Sequence, residues 1–324
     1  MTLSSMSSGW DLKFGELNDN ADANLFSVVA KALLSKQYKT TTYKFCFFKS
    51  ILNCTYYTNE GCEIAISDLS KEFSSTYWDL INVNKIPQKP VSLADNGSSV
   101  EILVRKYTEQ YPETNSIYFE NIKSHIQNSF LKECEKIVVK YVVGALYSET
   151  KGLLYGFSKK EKKIVLNQRS LDFLRDNKVI LEQLCYYEWL KMCESILEKQ
   201  QRHIPNISII IEDINKRRNL DSYKEALTAL LDSPVCFYCG KTHENRRLTL
   251  DHVIPWRFLK TDDLWNLVWC CSKCNSSKND KLPPQEFVDK LIRRNNSLKI
   301  QQPDILRISN IALSNGVDEW RINK

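Results

Sequence analysis

Residues 236–284 read CFYCGKTHENRRLTLDHVIPWRFLKTDDLWNLVWCCSKCNSSKNDKLPP, and five of the chain's 11 cysteines fall in this stretch. Four of them form two Cys-x-x-Cys pairs, Cys236 with Cys239 and Cys271 with Cys274. This spacing lets a tight knuckle aim two thiolates at one ion, and two knuckles complete a closed tetrahedral zinc site. Cys270 is the alternative to Cys271, but only Cys271 is separated from Cys274 by two residues. A thiol-exchange centre is the competing reading, and paired knuckles favour metal over it. His243 reads as a knuckle-loop residue, since the cysteines already total four.

Between the knuckles, LTLDHVIP alternates as a strand should and ends at Asp251-His252, with Pro255 stopping the pairing. WRFLKTDDLW reads as a loop, NLVWCC as the returning strand, and SKCNSSKND as the start of a helix. In this order an Asp and a His at the end of one strand face an Asn in the first turn of a helix. Asp251-His252, Asn266, and Asn275 followed by Lys278 match the pattern D-H, N, C-N-x-x-K, and with it the segment resembles the HNH, or ββα-metal, nucleases. DHVIPWRFLK also resembles the HNH domain of RNA-guided CRISPR effector nucleases, which lack the cysteine pairs. The likeness covers about fifty of 324 residues.

The resemblance implies a metal-dependent DNA endonuclease with His252, Asp251, Asn266 and Asn275 as its catalytic set. Asp251 and the amide oxygen of Asn275 would hold Mg²⁺ or Mn²⁺, leaving other positions for phosphate and water. His252, whose type titrates near neutrality, would take the proton of the attacking water. Asn266 would fix the loop and the imidazole without touching the ion. Asn275 stands where many relatives carry His, a departure that suits hard ions. An isolated Asp-His pair reads as a turn and an isolated Asn as a helix cap; their order between two knuckles gives them meaning. Arg246, Arg247, Arg257, Lys260, Lys278 and Lys281 are candidate phosphate contacts. Trp256 and Trp265 could stack on bases or pack the domain, whereas the strand position of Trp269 favours packing. Family association further implies bacterial defence or restriction, with a partner defence protein or a homodimer as company. The competing function is a zinc-stabilised nucleic-acid-binding module without catalysis.

Outside this window the chain reads as mainly α with small β elements. With 43% hydrophobic and 26% charged residues and only 9 Gly and 9 Pro, it has the composition of a folded globular protein. The net charge of +6 is mild; eight Lys and Arg against five acids in residues 236–284 contribute half of it. No apolar run reaches bilayer length and the start lacks a signal-peptide pattern, so a cytoplasmic protein without membrane contact is expected. The six other cysteines read as small buried hydrophobes of a reducing compartment.

A large helical domain, 1–232, is expected to precede a nuclease domain, 233–290, and a helical tail, 291–324. ANLFSVVAKALL and TTTYKFCFFKSILNC read as helices, the second capped by its threonines. EIAISDLSKEFSSTYWDLINV suggests a strand leading into an amphipathic helix, which fits a winged-helix unit and ordinary helical packing alike. NIKSHIQNSFLKECEKIVVKYVVGALY reads as one long helix and KGLLYGFSKKEKKIVLN as a hairpin with a lysine-rich tip. SLDFLRDNKVILEQLCYYEWLKMCESILEKQ reads as a further long helix spaced for burial, and two more helices are expected in the tail.

Overall fold

The computed structural model describes residues 9–35, 40–55, 62–90, 97–212, 220–231, 235–242, 248–259 and 261–321. The chain divides into two compact units, Met1–Ile214 and Asn215–Lys324.

In the first unit the elements run β1 (Phe14–Gly15), α1 (Leu25–Leu34), α2 (Tyr43–Cys54), β2 (Glu63–Ala65), α3 (Ile66–Trp78), α4 (Ser99–Gln110), α5 (Ser124–Ile137), α6 (Val143–Glu149), β3 (Gly156–Ser158), β4 (Lys163–Val165), α7 (Gln168–Asp176), α8 (Lys178–Lys199) and α9 (Ile207–Glu212). Helix α2 is buried on every face, including Phe45, Phe47, Phe48, Ile51 and Leu52, as suits a helix at the centre of a core. Tyr77, Phe73 and Trp189 close around it, each large side chain worth about 1.5–3 kcal/mol on burial. Cys46, Cys62, Cys134, Cys185 and Cys193 are buried and Cys54 partly so, none of them in a disulfide. The strands form one antiparallel sheet in the order β1-β3-β4-β2, with Phe157 opposite Ile164 and Ile164 opposite Ile64.

Three local expectations change. Thr42 stands at the N-cap of α2 but does not cap it; its hydroxyl joins Tyr77 OH at 2.8 Å and donates to Gln88 Oε1, because buried polar partners outcompete the first-turn amides. The long helix through residues 124–149 is interrupted by a π-helical turn at Val138–Val142, and the one through 168–199 breaks at Asn177 into α7 and α8. Helix α4, which periodicity alone did not single out, opens with a capping box between Ser98 and Glu101.

The second unit runs α10 (Asp221–Leu230), β5 (Leu248–His252), α11 (Trp256–Leu259), β6 (Leu267–Cys271), α12 (Ser272–Lys278), α13 (Gln285–Ser297) and α14 (Ile305–Ser314). Strands β5 and β6 form an antiparallel pair in which Asp251 faces Val268 and His252 faces Leu267. Pro255 accepts hydrogen bonds from the N–H groups of Phe258 and Leu259, so the expected loop after β5 begins with the single turn of α11. Tyr223 on α10 donates to the carbonyl of Asp262 at 2.6 Å, tying this helix to the loop before β6. Phe237, Tyr238, Phe287 and Trp320 form an aromatic cluster beneath the hairpin. Among the described residues no helix is long and apolar enough to cross a membrane.

Candidate active site

The two knuckles are built differently. In the first, Gly240 donates its N–H to Cys236 O at 2.9 Å and adopts φ +68°, a left-handed conformation that glycine takes without a Cβ clash. The Phe237 N–H then docks the turn on Trp269 O at 2.8 Å. In the second, Cys271 ends β6 and stands at the N-cap of α12, placing Cys274 in the helix's first turn. The Sγ atoms of Cys236, Cys239, Cys271 and Cys274 all lie within 4.8 Å of one another and could hold a metal ion. A tetrahedron with metal–sulfur bonds of about 2.3 Å has edges of about 3.8 Å, so the cluster needs little contraction. Strand alternation turns Cys270 away; it is buried, with its thiol 3.3 Å from Cys271 O.

Burial opposes ionisation of the Cys236 thiol, but backbone hydrogen bonds from Cys239 and Cys271 outweigh it and bring its pKa down to about 7. Cys274 is pushed well up by burial and by its thiol neighbours, Cys236 among them. Four thiols so close cannot all ionise unless a cation joins them, which is the chemistry of a structural S₄ site.

At the end of β5 the two expected catalytic neighbours have different partners. His252 Nε2 lies 2.8 Å from Asp262 Oδ1, both side chains being at most 5% exposed. Asp251 Oδ2 accepts from Tyr238 OH at 2.7 Å and lies 3.2 Å from Lys278 Nζ. Among the described residues nothing hydrogen-bonds to Asp251 Oδ1. Asn275 on α12 donates its Nδ2 to Thr249 Oγ1 at 3.3 Å, which leaves its amide oxygen outside that hydrogen bond. Thr249 and Asp251 share one face of β5 by alternation. The site therefore offers one carboxylate oxygen and one amide oxygen, hard donors that fit Mg²⁺ or Mn²⁺. The Lys278 ammonium is already a counter-charge for that carboxylate.

Asn266 is fully buried, and its amide clasps the N–H and C=O of a single residue, Ile254. Its Oδ1 accepts from Ile254 N at 2.8 Å and its Nδ2 donates to Ile254 O at 2.8 Å, while its own carbonyl accepts from Val253 N. It thus pins the two residues after His252 to the turn before β6. That turn is held from behind by α13: Arg294 donates to Leu264 O and Trp265 O, and Asn295 Nδ2 to Trp265 O at 2.9 Å. Burial pushes the Arg294 guanidinium down to about 10.

Among the expected phosphate contacts, Lys278 is corrected. It is 1% exposed, and its ammonium donates to His252 O at 2.7 Å as well as facing Asp251. Burial draws its pKa below the ordinary lysine value, against the opposing charge of Asp251. Lys278 is therefore an internal strut tying α12 to the end of β5. Arg257 and Lys281 are exposed; Arg246, Arg247, Lys260 and His243 lie outside the described residues. Trp265 and Trp269 are buried, so neither presents a face for base stacking.

Tyr238, Asp262, Arg294 and Trp320 carry no motif signal. Asp262 sits in the polar run TDD, where a carboxylate ten residues after a candidate base was the one clue. Trp320 donates to Ser277 Oγ at 3.1 Å and packs edge-on against Tyr238, which makes the far tail a brace for the residue that holds Asp251.

A hairpin followed by a helix, with a four-thiol cluster beside it, defines a ββα unit with a knuckle pair that could hold a metal ion. Residues 236–291 match the family model described as HNH endonuclease, which supports a nuclease-type hydrolase acting on nucleic acid. Comparisons with the curated proteins and with solved structures gave no match.

Proposed function

We propose that this protein is a metal-dependent DNA endonuclease that uses His252 as general base, with zinc on Cys236, Cys239, Cys271 and Cys274 and Mg²⁺ or Mn²⁺ on Asp251 and Asn275. The observation that carries the reading is the contact of Asp262 with His252 Nε2. A carboxylate only accepts, so Nε2 bears the proton and the Nδ1 lone pair is left to take one from water. Asp262 also stabilises the imidazolium that forms, the role an orienting acid plays in hydrolase triads. Lys278 at the His252 carbonyl and Asn266 at Val253 and Ile254 hold the backbone at and just after His252 and limit the motion of the imidazole. When bound, the divalent ion polarises the scissile phosphate and neutralises charge on the leaving oxygen.

A role in bacterial defence or restriction, with a partner protein or a second copy of the chain, rests on family association alone. On this reading residues 1–232 choose the target, 233–290 cut it and 291–324 brace the site. One observation favours a second reading, a zinc-stabilised binding module without catalysis: Lys278 already neutralises Asp251. Incubating supercoiled plasmid with the protein and Mg²⁺, beside His252→Ala, separates the two. Cutting lost in the variant supports the nuclease, and cutting by neither protein supports the binding module.

A further inference from the structure

The first unit contains an arrangement that the nuclease site does not use. Helices α2, α3 and α5 pack around Phe73, Trp78 and Phe130, with Trp78 and Phe130 edge to face at 5.0 Å. β2 lies between α2 and α3 in the chain, and the hairpin β3–β4 follows α5 and α6. In the sheet, β4 sits between β3 and β2, antiparallel to both. This is helix, strand, helix, helix, strand, strand with the first strand paired to the last: the winged-helix topology, here with α4 inserted before the third helix and β1 added at the outer edge.

The surface of that third helix is polar and basic. Ser124, His125, Asn128, Lys132, Lys136 and Lys140 are exposed along one side of α5 and its π-helical continuation. The acids of the same helix are engaged: Glu133 by Lys106 at 2.8 Å and Glu135 by Lys162 at 2.6 Å. No ion pair is formed by Lys132, Lys136 or Lys160 among the described residues. The hairpin is fastened beside this helix, because Lys162 comes from its tip and Lys159 donates to Lys140 O. Lys160, exposed at the tip, extends the basic band. A groove of about 420 Å³ between α3 and α5, lined by Ser67, Asp68, Lys71, Asn128 and Lys132, runs along its start.

We infer that the first unit is a winged-helix reader of duplex DNA, with α5 entering the major groove and the β3–β4 tip resting on the adjoining backbone. A helix fits that groove, Asn and His side chains near its start reach base edges, and lysines spaced along one side meet phosphates. The choice of DNA rests on the nuclease reading; the surface does not.

The test is equilibrium binding of the full chain, carrying His252→Ala and without added divalent ion, to a fluorescent duplex. Its readout is therefore independent of cleavage. Lys132→Ala, Lys136→Ala and Lys160→Ala are combined, with Lys31→Ala, exposed on α1, as control and Arg at the same three positions as a charge-preserving variant. The triple Ala variant is expected to bind at least tenfold more weakly at about 0.1 M salt, with a log–log salt slope shallower by about two to three. The control and the Arg variant are expected to bind as the parent does. Unchanged affinity and slope in the triple Ala variant, equal loss in the Arg variant, or preference for single-stranded RNA over the duplex overturns the inference. Plasmid cleavage by the otherwise wild-type triple variant at high protein concentration leaves the nuclease reading standing in each case.

Discussion

Asp262 Oδ1 and His252 Nε2 lie 2.8 Å apart in a setting where both side chains are nearly excluded from water. Asp262→Asn keeps the shape but can present an amide N–H to the ring, which favours the tautomer with the proton on Nδ1. We expect kcat for plasmid nicking to fall by about 10²–10⁴ with KM little changed, and the pH profile of the residual rate to shift. A KM effect without a kcat effect would mean that Asp262 shapes the surface only.

Cys274→Ser removes one ligand of a four-thiol cluster. Wild-type protein is expected to carry about one zinc per chain by elemental analysis, and the variant to lose both the metal and cooperative unfolding of the second unit. Metal-free wild-type protein with an intact second unit would contradict the zinc assignment.

Asn266→Ala strips the side-chain hydrogen bonds from the backbone N–H and C=O of buried Ile254. Each group left unpaired costs about 1–3 kcal/mol, so chemical denaturation should show a destabilised second unit together with lost nicking. Full stability with lost activity would place Asn266 in the chemistry itself.

Lys278→Met leaves Asp251 as a buried carboxylate without its cation, and breaking such a pair costs about 3–5 kcal/mol. The salt slope of DNA binding should stay that of the parent protein. A shallower slope in a stable variant would restore Lys278 to the phosphate contacts.

The reach of the sequence followed the locality of each interaction. Knuckle spacing, the alternation of LTLDH and the polar turn at Cys271 are set within a few residues, so the ββα unit was legible. The basic residue in the C-N-x-x-K pattern was visible too, but not its burial, because Lys278 turns inward only once His252 O and Asp251 arrive from another strand. Tyr238, Arg294 and Trp320 act across 13 to 82 positions of chain, through contacts with Asp251, Trp265 and Tyr238 respectively, and no periodicity announces such pairs. In the first unit the elements were readable one by one. Their order in the sheet was not, since β2 finds β4 a hundred residues away in the pairing of Glu63 with Val165.

The most direct test of the account is nicking of supercoiled plasmid by purified wild-type protein with Mg²⁺, set against a folded, zinc-loaded His252→Ala variant. General-base catalysis by His252 requires cutting by the wild type and a loss of about 10²-fold or more in the variant. Equal cutting by the two proteins would contradict it.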